Sequence, residues 1–363
     1  MPTTIGVLTS GGDCPGLNAV IRAVCKSAAH LGWKTLGIKN GFEGLYDIDY
    51  VELNYNEMDG LLARGGTILG STNKGHFAAK CGNQNLLTID PAVVARTKEN
   101  FQALGLSALV VLGGDGSLSI AQQLYEAGIP VVGVPKTIDN DLSCTAFTFG
   151  HDSAISCATD ALDRLHTTAE SHNRVMILEV MGRYAGWIAA HAGMAGGGDV
   201  ILLPEIPFHY AAIVKKIKER AARGKKFTLI VVAEGAHEAG GEVSLLAGQE
   251  KVKGEPRLGG LGQQVANKLK TLIDQEVRVC VLGHLQRGGG PTSFDRVLCT
   301  LFGAEAVKLV AEKKFGHMVT YAPPEMQSIP IKEAVGKLRL IDTKSDLIQS
   351  GKLLGISFGD DEV

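Results

Sequence analysis

Short apolar runs, each followed by a glycine-rich polar loop and an amphipathic stretch, recur along the chain. TIGVLT precedes SGGDCPG, ALVVL precedes GGDGS, and IPVVGV precedes PKTIDND; RVMILEV, FTLIVVAEGA and VRVCVLG continue the series. Continuous runs rich in Val and Ile are typical of parallel strands that are buried on both faces. The pattern therefore predicts an α/β fold: two Rossmann-like lobes with mostly parallel sheets and an active-site cleft between them.

Composition narrows the class of ligand and the compartment. The formal net charge of the 363 residues is -2 and no block of like charges occurs, so a nucleic-acid partner is not expected. Seven cysteines without a Cys-x-x-Cys pair favour a reduced, cytoplasmic setting. Because no apolar stretch approaches about 20 residues, we expect neither a signal peptide nor a membrane span.

Two glycine-rich loops follow predicted strands, where open α/β sheets bind ligands. SGGDCPGLN, residues 10–18, lets backbone amides and a helix N-terminus approach a phosphate, although a tight turn without a ligand explains it equally well. In GGDGS, residues 113–117, Asp115 can hold a magnesium ion on bound phosphates or cap the helix. The full P-loop spacing and a Gly-x-Gly-x-x-Gly sequence are both absent from the chain.

The loop PKTIDND, residues 135–141, adds two aspartates at a third strand end. Phosphoryl transfer to an alcohol needs one carboxylate to accept the hydroxyl proton, and a second can serve the metal. Thr137 can bind a phosphate or the acceptor. An exposed turn with two acids is the alternative, but two preceding phosphate-type loops favour phosphoryl transfer.

Further loops supply cations and groups suited to sugars. Arginine's planar fork suits phosphate, although a surface ion pair explains each arginine taken separately. Glu234 suits sugar hydroxyls. We expect His284 to donate a hydrogen bond to a phosphate rather than to bind a metal. The arginines in question are Arg174, Arg183, Arg278 and Arg287.

Taken together, the motifs resemble the 6-phosphofructokinase family. GVLTSGGDCPGLNAVIR, GGTILGS, GGDGS, TIDND, EVMGRYAG and GHLQRGG stand in that family's order over roughly residues 4–320. The resemblance implies Mg²⁺-dependent transfer of a phosphoryl group from ATP to the 1-hydroxyl of fructose 6-phosphate. It also implies a homotetramer, or a homodimer, whose active sites are shared between subunits.

The resemblance assigns roles to individual positions. Asp139 becomes the general base, Thr137 lies beside the transferred phosphoryl group, and Arg183 stabilises the transition state, with Gly12 as a further catalytic position. Asp115 holds magnesium and Asp141 assists it. The implied sugar-phosphate contacts are Thr137, Ile138, Asp139, Arg174, Met181, Gly182, Arg183, Glu234, Arg278, His284, Leu285, Gln286 and Arg287, with Arg174 and Arg278 supplied by the adjacent subunit. The implied donor contacts are Gly12, Asn73, Lys74, Gly114, Asp115, Gly116 and Ser117.

Two positions bear on whether the donor is ATP or pyrophosphate. Lys136 is typical of the pyrophosphate-using branch, in which, however, an acid usually stands at the position of Gly116. A glycine leaves room for the α-phosphate of a nucleotide, whereas an aspartate would repel it. The prediction is therefore ATP, with pyrophosphate as the alternative. Asn73 and Lys74 stand where an arginine is usual in the bacterial ATP enzymes.

The remaining predictions concern boundaries, regulation and rival functions. We predict a larger donor-binding lobe over residues 1–150 and about 286–335, a smaller sugar-phosphate lobe over 151–285, and a C-terminal extension, 336–363, packed on the surface. A non-catalytic sugar-phosphate sensor and another GGDG-loop kinase are the less favoured functions. An altered effector response is a further hypothesis, because His166 replaces an expected arginine among the effector-site cations Arg22, Lys26, Arg223 and Lys225.

Overall fold

The computed structural model describes residues 3–72, 75–77, 88–244 and 258–361. The strands are β1 (Thr4–Thr9), β2 (Lys34–Ile38), β3 (Tyr50–Leu53), β4 (Ala108–Gly113), β5 (Val131–Pro135), β6 (Val175–Val180), β7 (Val200–Leu202), β8 (Thr228–Ala233), β9 (Val277–Val281), β10 (His317–Ala322) and β11 (Glu325–Pro330). The helices are α1 (Leu17–His30), α2 (Phe42–Asp47), α3 (Pro91–Ala103), α4 (Asp115–Glu126), α5 (His151–His172), α6 (Trp187–Ala195), α7 (Tyr210–Ala222), α8 (Leu261–Leu269), α9 (Ser293–Ala311), α10 (Ile331–Ala334) and α11 (Asp346–Leu353). Within these ranges no helix has the length and apolar character needed to cross a bilayer.

Internal contacts divide the chain into two compact units. The first unit comprises Met1–Ile138, Leu142–Ser153 and Arg287–Leu338. The second unit comprises Asp139–Asp141, Ala154–Gln286 and Arg339–Val363. The division differs from the sequence prediction in two places: the three residues after Ile138 and the last segment of the chain both belong to the second unit.

A seven-stranded sheet forms the centre of the first unit, with the order β11-β10-β5-β4-β1-β2-β3. Its five inner strands pair in parallel, and β3 and β11 pair antiparallel at the edges. All six residues of β4 are buried, as a strand covered on both faces requires. The prediction of a mostly parallel α/β sheet is confirmed.

The second unit is built on a fully parallel four-stranded sheet with the order β7-β8-β6-β9. Strands β6 and β8 lie in the middle and are buried along their whole length. Their sequences, VMILEV and TLIVVA, are the apolar runs from which parallel strands were predicted. The loops that leave their carboxyl ends carry several of the candidate site residues.

A buried carboxylate fixes the start of helix α5 in the first unit. Asp295 accepts hydrogen bonds from the backbone N–H of Gly150 at 3.0 Å and of Ser153 at 2.9 Å, and from the Ser153 hydroxyl at 2.6 Å. Burial raises the pKa of the Asp295 carboxyl to about 6, and the hydrogen bonds from Ser153 oppose that rise. Because His151 begins this helix, the contact also fixes a residue that supports the candidate site.

The C-terminal segment contributes to the core of the second unit, beyond the surface packing expected from its sequence. Ile348 and Phe358 are each 1% exposed. Ser357 forms a parallel bridge with Val200 of β7, so the segment extends the edge of the sheet. It has no continuous run rich in Val and Ile like those of the predicted strands, so its sequence did not mark it as buried.

Candidate active site

The loops that follow β1, β4 and β5 contact one another within the first unit. The Ser117 hydroxyl donates to the Ser10 hydroxyl at 2.9 Å, and the backbone N–H of Ser10 donates to the carbonyl of Leu112 at 3.0 Å. The backbone N–H of Lys136 donates to the carbonyl of Gly113 at 2.9 Å. The first two phosphate-type loops and the first residues of the third thus form one cluster, as the positions of the strands predicted.

Two cations lie against Gly12 in this cluster. Lys136 is only 4% exposed, and its Nζ donates to the carbonyl of Gly12. The guanidinium of Arg287 occupies the space that a side chain at position 12 would need. Glycine is therefore required there for the close approach of Arg287, and the two positive charges make the loop suitable for an anion.

Asp115 is the first residue of α4, and Gly114 rather than Asp115 is the N-cap. The Asp115 Oδ1 accepts a hydrogen bond from the backbone N–H of Gly336 at 2.7 Å, while burial raises the pKa of the carboxyl. Gly116 and Ser117 are buried in the same helical turn. The described residues contain no group of three or more potential metal-ligating side chains. A single carboxylate nevertheless fits Mg²⁺, which is usually held by one or two carboxylates together with substrate phosphates and water.

The first part of the PKTIDND loop, up to Ile138, is held by side chains of the first unit. The carbonyl of Thr137 accepts from the Thr148 hydroxyl at 2.7 Å, and the carbonyl of Ile138 accepts from His151 Nδ1 at 2.7 Å. His151 is fully buried. The sequence interpretation missed Thr148 and His151, because side chains that bind a distant backbone leave no local pattern.

The next residues of the loop belong to the second unit. Asp139 is 7% exposed and Asn140 is 1% exposed, with Asn140 in the left-handed region at φ +53°. The carbonyl of Asp141 accepts from the backbone N–H of Arg339 at 2.8 Å. The carbonyl of Asn140 accepts from Arg339 Nη1 at 3.4 Å. The loop is therefore held here by a residue from the C-terminal segment, which the sequence interpretation also missed.

The MGR loop after β6 is held by Glu234 and Gln286. Glu234 Oε1 accepts from the backbone N–H of Gly182 at 3.3 Å and of Arg183 at 3.0 Å. Gln286 Oε1 accepts from the backbone N–H of Met181 at 2.8 Å. Five of the predicted sugar-phosphate residues are thus brought together in the second unit.

Electrostatics tie Asp139 to this group. Burial, helped by the negative charge of Asp139, raises the pKa of the Glu234 carboxyl to about 7, and the hydrogen bond from the Arg183 backbone opposes that rise. Arg183 has a left-handed backbone at φ +52°. A Cβ at Gly235 would overlap the carbonyl of Arg183, so this loop is closely confined.

Arg174 and Arg278 lie at the other end of the same sheet. Arg174 precedes β6, Arg278 is the second residue of β9, and both form ion pairs with Glu276. The six residues of β6 separate Arg174 from the MGR loop, a length of roughly 20 Å. Both arginines therefore lie at the amino ends of their strands, away from the loops that leave the carboxyl ends.

Two of the other predicted contact residues are exposed, and two lie outside the residues that the structure describes. His284 and Leu285 are exposed on a 3-10 helix, Gly283–Arg287, that follows β9. Asn73 and Lys74 lie outside the described residues. Of the proposed effector residues, Lys26 pairs with Asp59 at 2.7 Å. The effector hypothesis stays a prediction.

Comparisons with known proteins agree with the motifs. The family model described as phosphofructokinase matches residues 4–310. A Chloroflexus aurantiacus protein named ATP-dependent 6-phosphofructokinase is 52% identical over 358 residues, covering 98% of both chains. A Clostridium perfringens protein named ATP-dependent 6-phosphofructokinase 2 is 47% identical over 359 residues, also covering 98% of both.

Solved structures show the same fold. Phosphofructokinase from Saccharomyces cerevisiae matches with a TM-score of 0.78 and 30% identity over 91% of this chain, which spans 45% of the yeast chain. The pyrophosphate-dependent phosphofructokinase from Marinobacter aquaeolei has a TM-score of 0.80 at 22% identity, covering 98% of this chain and 92% of its own, a likeness that concerns the fold alone. The chain therefore belongs to the phosphofructokinase family.

Proposed function

We propose that this chain is an ATP-dependent 6-phosphofructokinase, which converts fructose 6-phosphate and ATP to fructose 1,6-bisphosphate and ADP. The observation that carries the proposal lies in the second unit: Glu234 has a pKa raised by burial, accepts a hydrogen bond from the MGR loop and is influenced by the charge of Asp139. The names of relatives that are about half identical to this chain support the same reaction and the same donor.

The chemistry follows from the roles of the side chains. The 1-hydroxyl oxygen of the sugar bonds to the γ-phosphorus as the bond to the ADP oxygen breaks, and Asp139 accepts the hydroxyl proton. Arg183 stabilises the negative charge that spreads over the transferring phosphoryl oxygens. Glu234 accepts hydrogen bonds from sugar hydroxyls in its ionised form, while holding the backbone that positions Arg183.

Magnesium belongs to this proposal. Asp115 would hold the ion together with phosphate oxygens of the donor, and Asp141 would support it. When bound, the ion neutralises charge on the phosphates. Binding there requires the ionised form of Asp115, which burial disfavours in the protein alone.

The donor is ATP rather than pyrophosphate on the basis of Gly116. This residue is buried in the first turn of α4, where an aspartate would bring negative charge to the phosphate loop. Lys136 favours pyrophosphate, but its Nζ binds the carbonyl of Gly12. A lysine held in this way adds positive charge for either donor and excludes neither.

The 6-phosphate is bound with the help of a second copy of the chain. Arg174 and Arg278 lie at the amino ends of their strands, at the opposite end of the sheet from the MGR loop, so they serve the site of a neighbouring subunit. Val281, Leu285 and Val297 are 56%, 68% and 62% exposed and offer apolar surface for association. The proposed assembly is a homotetramer, or a homodimer, in the cytoplasm. The six cysteines within the described residues are all free thiols, which suits a reducing compartment.

Replacing the proposed base tests the reaction. Asp139→Ser should lower kcat by roughly three orders of magnitude, because no group remains to accept the hydroxyl proton. Fructose 6-phosphate should still bind, with a Kd within about threefold of the wild type by calorimetry. Asp160→Ser, which removes an exposed aspartate paired with Arg164, is the control and should keep full activity. An undiminished kcat in Asp139→Ser would contradict the base assignment.

An acid introduced into the phosphate loop tests the donor assignment. Gly116→Asp should lower kcat/KM for ATP by roughly 100-fold or more, because the new carboxylate would repel the α-phosphate of the nucleotide in a buried site. The KM for fructose 6-phosphate should change much less. Initial rates over an ATP series measure both effects. An ATP rate equal to that of the wild type would show that Gly116 does not govern nucleotide access.

The raised pKa of Glu234 predicts a pH dependence of sugar-phosphate binding. The carboxylate predominates only above about pH 7, so the KM for fructose 6-phosphate should rise by up to roughly tenfold as the pH falls from 8 to 6. Glu234→Gln keeps an oxygen for the backbone N–H groups but does not ionise, and its KM should be higher at pH 8. Its KM should show only the dependence due to the substrate's own phosphate. Parallel curves for the two proteins would rule out this role.

Mixing two inactive variants tests whether sites are shared. Arg174→Ala retains the base and Asp139→Ser retains the arginine, so mixed assemblies should contain sites with both groups intact. Refolding the two variants together should restore roughly a quarter of wild-type activity if pairs form at random across a two-fold interface. Mixing Asp139→Ser with the double variant Asp139→Ser, Arg174→Ala should restore none. No recovery in the first mixture would place Arg174 outside the neighbouring site.

A further inference from the structure

A short C-terminal segment, residues 336–341, contacts both aspartates to which metal roles were assigned, Asp115 through its carboxylate and Asp141 through its backbone carbonyl. The backbone N–H of Gly336 binds Asp115 Oδ1 at 2.7 Å in the first unit. The backbone N–H of Arg339 binds the carbonyl of Asp141 at 2.8 Å in the second unit. This segment lies beyond residue 310, where the match to the family model ends. Its contacts with the loops are therefore features of this chain that the family match does not cover.

Arg339 uses both its backbone and its side chain on the loop that carries Asp139. Its N–H binds the carbonyl of Asp141, and its Nη1 lies 3.4 Å from the carbonyl of Asn140. Asn140 has a left-handed backbone, a conformation that Asn adopts more readily than most other non-glycine residues. Both carbonyls that follow the proposed base are thus bound by one residue.

The same arginine is attached to the helix that follows the MGR loop. Its guanidinium lies 4.3 Å from the centre of the Trp187 ring, and Trp187 Nε1 donates to the carbonyl of Arg339 at 2.8 Å. Trp187 is the first residue of α6, four positions after Arg183. A carboxylate strengthens the attachment, because Glu205 Oε1 accepts from the backbone N–H of Gly186 and of Ile341, each at 3.0 Å.

We propose that Arg339 is a positioning residue for phosphoryl transfer, which fixes the loop of the base Asp139 relative to the loop of Arg183 through its contacts with Asn140, Asp141 and Trp187. The inference rests on the proposed function for the identity of the reaction. It goes beyond that function in assigning a role to a residue for which no substrate contact is proposed. A displacement of a reacting group by about 1 Å can cost on the order of 100-fold in rate, so a support of this kind affects kcat.

The test is Arg339→Met, which keeps the aliphatic stem and the backbone N–H but removes the charge and the Nη donors. The kcat with ATP should fall roughly 10- to 100-fold, while the KM for fructose 6-phosphate stays within about threefold. Arg339→Lys restores a cation above the Trp187 ring and should recover part of kcat. Lys352→Met is the matched control: it removes a C-terminal cation paired with Asp360 at 2.6 Å, and its kcat should equal that of the wild type.

Two further measurements separate positioning from general stability. Amide hydrogen exchange over residues 136–142 should be faster in Arg339→Met than in the wild type, while exchange in β6 and β8 stays unchanged. If Arg339→Met does not fold, Trp187→Phe replaces it; this variant keeps an aromatic ring but loses the N–H bound to Arg339, and its kcat should fall roughly threefold to tenfold.

The outcomes are distinct. A wild-type protein without turnover refutes the proposed function, and the positioning role falls with it. If the wild-type protein turns over and Arg339→Met has the same kcat, the positioning role alone is refuted. A fall in kcat that Arg339→Lys does not reverse, with faster exchange throughout the second unit, assigns Arg339 to stability only and also overturns the proposal. If Arg339→Met does not fold and Trp187→Phe is used in its place, an unchanged kcat in that variant overturns the positioning role.

Discussion

The candidate site depends on one constraint: the backbone carbonyls of a buried loop must find hydrogen-bond donors within the protein. The carbonyls of Thr137 and Ile138 bind Thr148 and His151, and those of Asn140 and Asp141 bind Arg339. Each of these donors holds the backbone within two residues of Asp139. Leaving one such buried group unpaired costs about 1–3 kcal/mol, so the loop has little freedom to move the carboxylate.

This constraint explains how a polar loop can be both buried and useful in catalysis. Donors from elsewhere in the chain bind the carbonyls of its backbone, which leaves the side chains of the loop for substrates and for their electrostatic neighbours. The same principle operates in the MGR loop, where Glu234 and Gln286 bind three successive N–H groups. Burial raises the pKa of Glu234, and the negative charge of Asp139 adds to that rise. A preorganised polar environment of this kind is what charge development during phosphoryl transfer requires.

Much of this arrangement could be predicted from the sequence, because its signals are local. The runs before SGGD, GGDG and TIDND give the strands, and the direction of a parallel sheet gives the end at which those loops gather. Thr148, His151 and Arg339 could not be found in that way. Each binds a backbone group distant along the chain or across a loop, and no spacing rule connects, for example, residue 339 with residue 141. Residue type alone did not indicate that Arg174 and Arg278 lie at the amino ends of β6 and β9. The burial of the C-terminal segment could not be predicted because it contains no continuous run rich in Val and Ile.

The most direct test of the account is product formation by the purified wild-type chain. Fructose 6-phosphate and Mg²⁺ are supplied with either ATP or pyrophosphate, and fructose 1,6-bisphosphate is measured in both reactions. The account predicts the bisphosphate with ATP, formed in equal amount with ADP, and little or none with pyrophosphate. Product with pyrophosphate alone would contradict the assignment of the donor to Gly116, and no product with either donor would contradict the role of Asp139 as a base in sugar phosphorylation.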